Sequence, residues 1–203
     1  VVDSTTMHLM RKCPCAIWVA RPTSSDRYER ILAAVDPDPT DAERSSLNRM
    51  IMELAVSLAK LEASEFHVVH AWEQFGLPVD SSADVWVKWQ EAARAEVNRR
   101  FYELLSEHPV GSDPQVHLVG GKPAPSISRL AREEQIDLLV MGTVCRTGIR
   151  GFLIGNTAEG VLQRVDCSLL TVKPRGFVSP IQPVGDSSRL SEPPGVRTGQ
   201  TAP

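Results

Sequence analysis

Hydrophobic and polar positions along this chain follow two periods that take turns. Residues 30–36 (RILAAVD) form a short apolar run ending at a polar turn, which predicts a buried parallel strand. Pro37 and Pro39 then stop it. Across residues 41–63, Leu47, Ile51, Leu54, Leu58 and Leu61 recur at spacings of three and four, which predicts an amphipathic helix. Residues 65–72 (EFHVVHAW) predict the next strand. Residues 82–107 predict a long helix, with Val85, Trp89, Ala93, Val97, Phe101 and Leu104 along one stripe. Further strands are expected at residues 115–119, 136–141 (IDLLVM) and 168–173 (SLLTVK), and further helices at residues 124–134 and 156–165.

Strands alternating with helices over residues 28–174 predict an α/β fold: a five-stranded, mostly parallel sheet with helices on both faces. Ligands of such sheets bind beyond the carboxyl ends of the strands, near the switch in strand order. Asp36, Ala71, Gly120 and Gly142 stand at those ends, which places a candidate site before any motif is considered. Residues 179–203 carry mostly Pro, Ser, Gly, Gln, Thr and charge, and so predict a disordered tail.

The first residues repeat the last strand and its helix. At an offset of 152 positions, Cys15 falls on Cys167, Ile17 on Leu169, Arg21 on Lys173 and Pro22 on Pro174. Both copies read as a short helix, a turn, a cysteine, an apolar strand, a base and a proline. Residues 1–22 are therefore expected to be the end of a preceding, duplicated domain, with residues 23–178 forming the main domain. A strand spanning Ala16 to Ala20 needs an edge for its backbone groups.

Composition narrows the chemistry. Of 203 residues, 42% are hydrophobic and 23% charged, which is enough apolar surface for a packed core. A net charge of −3 gives no nucleic-acid footprint and no polybasic membrane patch, and no apolar run is long enough to span a bilayer. Four cysteines in a chain of this size do not form a disulfide scaffold, so a reducing, cytoplasmic setting is expected.

The stretch from Met141 to Glu159 (MGTVCRTGIRGFLIGNTAE) leaves an apolar strand, passes Gly142, Gly148, Gly151 and Gly155, and enters a helix at Asn156. Glycines let backbone approach a ligand closely, and the first amides of a helix lack intrahelical partners. Arg146 and Arg150 add positive charge. Asn156 reads as the N-cap, with Glu159 three residues on as in a capping box. These residues read either as a phosphate cradle or as an ordinary loop before a well-capped helix.

The loop resembles the G-x2-G-x9-G-(S/T) signature of the universal stress protein family, with Gly142 at its first glycine and Gly155 at its last. Asp36 resembles the aspartate that ends the family's first strand, and Val69-His70-Ala71 the end of its second. Gly121-Lys122-Pro123-Ala124 resembles the family's G-x-P-A turn, and residues 167–174 resemble its final strand. The likeness covers residues 28–178 and is nearest to the second repeat of tandem, E-type members. It implies a Rossmann-like fold, a non-enzymatic stress-response role and, in members with the full motif, binding of ATP with magnesium. By that resemblance Asp36 and Ala71 would lie near ribose and adenine, and Met141 would flank the base. Gly142, Cys145, Gly155, Asn156 and Thr157 would line the phosphates. Two positions depart from the signature: Cys145 stands for its second glycine and Asn156 for its Ser/Thr. The alternative is an interaction module that has lost nucleotide binding. The family also forms dimers through its final strands. That implies a homodimer, or a tandem pseudo-dimer in which the strand from Ala16 to Ala20 pairs with that from Ser168 to Val172.

Other groups point nowhere sharper. Cys13 and Cys15 lack further ligands nearby for a metal, His8 excepted. His67 and His70 lie three apart on a strand and face opposite ways, so His70 reads as a buried, satisfied histidine. Cys145 beside Arg146 offers a redox-sensor reading. Trp86 and Trp89 read as core or interface. No nucleophile–base–acid constellation and no G-x4-G-K-[ST] motif is present, so no enzyme is expected.

Overall fold

Successive residues of the central strands are buried on alternate faces of one sheet, and each face builds its own core. Leu32, Ala34, Val69, Leu139 and Met141 enter one cluster, while Ile31, Ala33, Val68, Leu138 and Val140 enter the other. A strand buried on both sides reads as a continuous apolar run, which is why RILAA and LLVMG carry no polar alternation. The computed structural model describes residues 4–22, 25–37, 41–72, 83–108, 113–143, 155–177 and 179.

The elements are α1 (Ser4–Lys12), β1 (Ile17–Val19), β2 (Arg30–Ala34), α2 (Ala42–Glu62), β3 (Glu65–Trp72), α3 (Ala83–Ser106), β4 (Gln115–Gly120), α4 (Pro123–Glu133), β5 (Leu138–Gly142), α5 (Asn156–Leu162) and β6 (Ser168–Val172). The sheet order is β1-β6-β5-β2-β3-β4. Five strands are mutually parallel, and β1 adds a sixth, antiparallel on β6 with Ile17 opposite Thr171, Trp18 opposite Leu170 and Val19 opposite Leu169. One face carries α1, α4 and α5 through Met10, Ile127, Leu130, Ala158 and Val161; the other carries α2 and α3 through Leu47, Ile51, Ala55 and Phe101. No helix among the described residues is long and apolar enough to cross a membrane.

Local chemistry sets the element ends. The Asp41 carboxylate accepts the Arg44 amide at 3.0 Å and starts α2, and Ala63 ends it in the left-handed region at φ 52°. Pro123 opens α4, where its missing N–H costs nothing. The strand expected from residue 136 starts later, at Leu138, because Asp137 is occupied otherwise. Its Oδ2 accepts the amides of Glu29 and Arg30, both at 2.8 Å, and so ties the entry of β2 to that of β5.

Expectations change on three helices. On α2, Leu54 and Leu61 of the predicted stripe are 37% and 78% exposed, and the buried face runs instead through Leu47, Ile51, Met52, Ala55, Val56 and Ala59. The stripe on α3 is buried only at its carboxyl end: Phe101 is fully buried, whereas Val85 and Trp89 are 61% and 49% exposed. The reason is length. The 24 residues of α3 run about 36 Å at 1.5 Å each, against roughly 26 Å for the eight residues of β3, so the helix overshoots the sheet. The side chain of Trp86 lies outside the described residues, as do residues 180–203 of the expected tail. The change on α5 is described with the site.

The N-terminal helix is anchored in the body of the fold. Met10 is fully buried. The Lys173 ammonium, itself buried, donates to the Met10 carbonyl at 2.5 Å and reaches Thr143 Oγ1 at 3.5 Å. Arg11 pairs with Glu159 of α5 at 3.2 Å.

Candidate functional site

β2 and β5 are the adjacent strands at which the sheet changes direction of growth, with β3 and β4 added on one side and β6 on the other. A cleft is expected at the carboxyl ends there, since the connections leave the sheet on opposite faces. Register brings four of the candidate residues to that end. Ala34 of β2 pairs with Met141 of β5 and with Val69 of β3, so Asp36, Ala71 and Met141-Gly142 lie together around the switch point.

Asp36 is held from two elements, α2 and β3. Its amide donates to Asn48 Oδ1 at 3.0 Å, and Asn48 Nδ2 donates back to its carbonyl at 2.7 Å. Asn48 sits on the inner face of α2 and is 3% exposed, so it is a buried polar clamp on the backbone that leaves β2. The Asp36 carboxylate meets Arg44 Nη1 at 3.5 Å and His70 Nδ1 at 3.9 Å. The buried His70 donates from Nδ1 to the Val35 carbonyl at 3.0 Å, which fixes that tautomer. His70 is thus the satisfied histidine expected from its spacing, and it also braces the turn carrying Asp36. Ala71 and Met141 are both buried and add an apolar floor.

Gly142 has a structural reason to be glycine. A Cβ built there would lie 2.5 Å from Leu47 Cδ2 and 3.1 Å from Leu47 Cγ. α2 packs onto the bare Cα. The close approach expected of a ligand is made here by a leucine.

The start of α5 corrects the capping assignment. Gly155 is the N-cap, with extended backbone (φ −61°, ψ 142°), and its carbonyl accepts the Glu159 amide at 3.0 Å. Asn156 is the first helical residue and exposed, so its side chain is not in the capping position, and no side chain among the described residues caps this helix. Glu159 falls one position too late for a capping box and pairs with Arg11 instead. The Gly155 amide donates to Thr143 O at 2.8 Å, and the Thr143 amide to Val172 O at 3.0 Å, so β5, β6 and the α5 entry are stitched together. Thr157 is half-buried one residue on. Cys145, Arg146, Gly148, Arg150 and Gly151 lie outside the described residues.

Sequence spacing did not reveal the pair His67–His117. His67 Nδ1 and His117 Nε2 are 3.1 Å apart with near-parallel rings, and His67 Nε2 lies 3.5 Å from Glu65 Oε1. Burial pushes both imidazoles below their ordinary value; for His67, Glu65 opposes and His117 adds to that shift. Cys13, Cys15 and Cys167 are free thiols, and no group of three or more His, Cys, Asp or Glu among the described residues could hold a metal ion.

Comparison with known proteins agrees with this geometry. The sequence model of the universal stress protein family matches residues 27–173. The universal stress protein E homolog of Haemophilus influenzae is 28% identical over 177 residues, covering 82% of this chain and 54% of the relative. The universal stress protein A homolog 2 of Coxiella burnetii is 30% identical over 155 residues, covering 74% of this chain and 99% of its own. The solved structure of a universal stress protein from Pseudomonas aeruginosa superposes with a TM-score of 0.71 at 30% identity, covering 86% of this chain and 58% of that one. The chain therefore spans about half the length of the E-type relatives it matches. With the family's sequence pattern running through residues 27–173 and the family's sheet beneath it, this chain belongs to the universal stress protein family.

Proposed function

We propose that this chain is a non-enzymatic stress-response module that binds an adenine nucleotide at the carboxyl ends of β2, β3 and β5. The observation that carries this is the convergence of Asp36, Ala71, Met141 and Gly142 at the switch point. Asp36 offers a carboxylate, 37% exposed, on a backbone clamped by Asn48, which suits a ribose hydroxyl. Buried Ala71 and Met141 suit the flat apolar edge of a base. Gly155, Asn156 and Thr157 would face the phosphates, together with Cys145. ATP would carry its own magnesium, held by phosphates and water, since no acidic cage stands ready among the described residues.

A second reading is an interaction module, and it has its own observations. Leucine packing already accounts for Gly142 without a ligand. The edge of β6 accepts an antiparallel strand, β1. In that reading the working unit is a homodimer, or a tandem pseudo-dimer through β1 and β6.

Calorimetric titration of ATP with magnesium into the full chain separates them. The nucleotide reading expects saturable binding that Asp36→Ala weakens about tenfold, the size of one charge-assisted hydrogen bond. Binding only in a Cys145→Gly variant identifies a decayed site and favours the interaction module. Absence of binding in both refutes the nucleotide reading.

A further inference from the structure

We propose that His67 and His117 form a proton switch that releases the edge strand β4 from the sheet in mild acid. The two rings meet end to end. His67 Nδ1 and His117 Nε2 are 3.1 Å apart, the ring planes differ by 1°, and the ring centres are 5.3 Å apart. That separation is close to the nitrogen contact plus one ring radius on each side. The rings therefore share a plane, and the contact is an in-plane N–H···N hydrogen bond.

Only one proton fits between two facing nitrogens. Glu65 decides which ring supplies it. His67 Nε2 is buried, has no hydrogen-bond partner among the described residues and lies 3.5 Å from Glu65 Oε1. With the shared proton on His117 Nε2, the neutral His67 keeps its own proton on Nε2 and turns an N–H toward that carboxylate. The opposite arrangement would turn a lone pair on it. The one bare nitrogen is then His117 Nδ1, on the half-buried ring of the edge strand. A first added proton enters there and leaves the contact intact. A second has no place, since it would set N–H against N–H at the same distance. The closed pair thus holds one proton fewer than two separate imidazoles can.

The charged groups that face the pair are Glu65 of β3, Arg30 of β2 and Glu134 at the end of α4. Glu65 is shared with Arg30 at 3.3 Å, and that guanidinium also donates to Gln135. Burial outweighs the two carboxylates and holds both imidazoles below their ordinary value. Acid therefore favours any state in which the rings part.

β4 is the element able to part. It ends the sheet and pairs with β3 alone, from Gln115 opposite His67 to Gly120 opposite Trp72. None of its residues is buried, whereas six of the eight in β3 are. An element with so little buried surface opens at lower free energy than the core. Its release carries His117 into water and bares the backbone edge of β3.

The test is hydrogen exchange of the full chain, read by NMR at residues 115–120 and 138–142, at pH 7.5 and 5.5, with rates corrected for the intrinsic effect of pH. The amides of β4 should exchange through an opening of their own, faster than those of β5. With free imidazoles at 6.5 and one proton refused by the closed pair, that opening should become about tenfold more populated at the lower pH. In His117→Gln the amide can turn its oxygen to a protonated His67 Nδ1, so no proton is refused and the response should largely vanish. Should that variant lose its native spectrum, the imidazole nitrogen shifts of the unaltered chain decide, with the folded pair taking up one proton at most. The proposal is overturned by β4 amides that exchange together with those of β5 at both pH values, or by an opening that pH leaves unchanged. It is equally overturned by a tenfold response kept in His117→Gln, or by a folded chain in which both rings are doubly protonated.

Discussion

Gly142→Ala tests whether the first glycine of the signature serves packing in this chain. The new methyl would sit 2.5 Å from Leu47 Cδ2, 3.1 Å from Leu47 Cγ and 3.5 Å from Ile51 Cδ1. Carbon atoms rest about 3.5–4.0 Å apart, so the worst overlap is roughly 1 Å. A rotation of Leu47 cannot remove it cheaply, because Cγ is also too close and the side chain is packed in the core with Met52, Val56 and Val140 as fellow members. Gly142 is not among the positive-φ glycines, so the cost is steric rather than conformational. Overpacking of this kind costs about 1–3 kcal/mol, and a chain of this size loses roughly 2–4 °C of melting temperature per kcal/mol.

The single variant alone does not name the clash, so the test is a double-mutant cycle. Leu47→Ala removes a buried leucine and should cost about 2–5 kcal/mol. In Gly142→Ala/Leu47→Ala the methyl enters the space the leucine left. The double variant should then be more stable than the sum of the singles predicts, by about 1–3 kcal/mol. Urea unfolding of the full chain followed by circular dichroism gives all three values. Additivity to within about 0.5 kcal/mol would refute the packing account. So would a stable Gly142→Ala whose only defect is weaker ATP binding, since that pattern belongs to a glycine kept for a ligand.

Three further outcomes are expected. Gly121→Ala should destabilise by about 1–3 kcal/mol in urea unfolding, because Gly121 has φ +120° and its added Cβ would meet Ser126 Oγ at 3.0 Å; an unchanged midpoint would refute this. Asn48→Ala should cost roughly 1–3 kcal/mol, since it removes the hydrogen bonds that Asn48 makes to both the amide and the carbonyl of Asp36, and the same variant should weaken any ligand that contacts Asp36. The third is a pH dependence. His67, His117 and His108 are all held below their ordinary 6.5 chiefly by burial, so the unfolded chain binds protons that the folded chain refuses. Their neutral burial is therefore fully tolerated above about 6.5, and stability is lost as pH falls below it. Glu65 and Glu134 soften that loss at His67, and Arg30 adds to it. Unfolding free energy should rise from pH 5 to pH 7, with a shallower slope in His117→Gln; equal slopes would remove His117 from the account.

How much of this was legible from residues alone divides along a physical line. Element order was readable because each strand carries its burial in its own residues: RILAA and LLVMG are buried on both faces, and α2 was recognisable from Leu47 and Ile51, although Leu54 and Leu61 of the predicted stripe are exposed. The placement of Asp36, Ala71 and Met141-Gly142 followed from topology, since the carboxyl ends of parallel strands share one edge. Properties that depend on a second element were not readable. The stripe on α3 is periodic over its full length, yet only the sheet's length decides that Phe101 is buried and Val85 is not. Asn156 has a good capping side chain, but the Gly155 amide is drawn to Thr143 O and the helix starts one residue earlier. His67 pairs in register with Gln115, and meets His117 only as the diagonal neighbour two residues on. Such contacts need the register between strands, which no local periodicity reports. Here that register is set partly by a single side chain: Asp137 bonds the amides of Glu29 and Arg30, and so aligns β5 with β2, the two strands between which the candidate site opens.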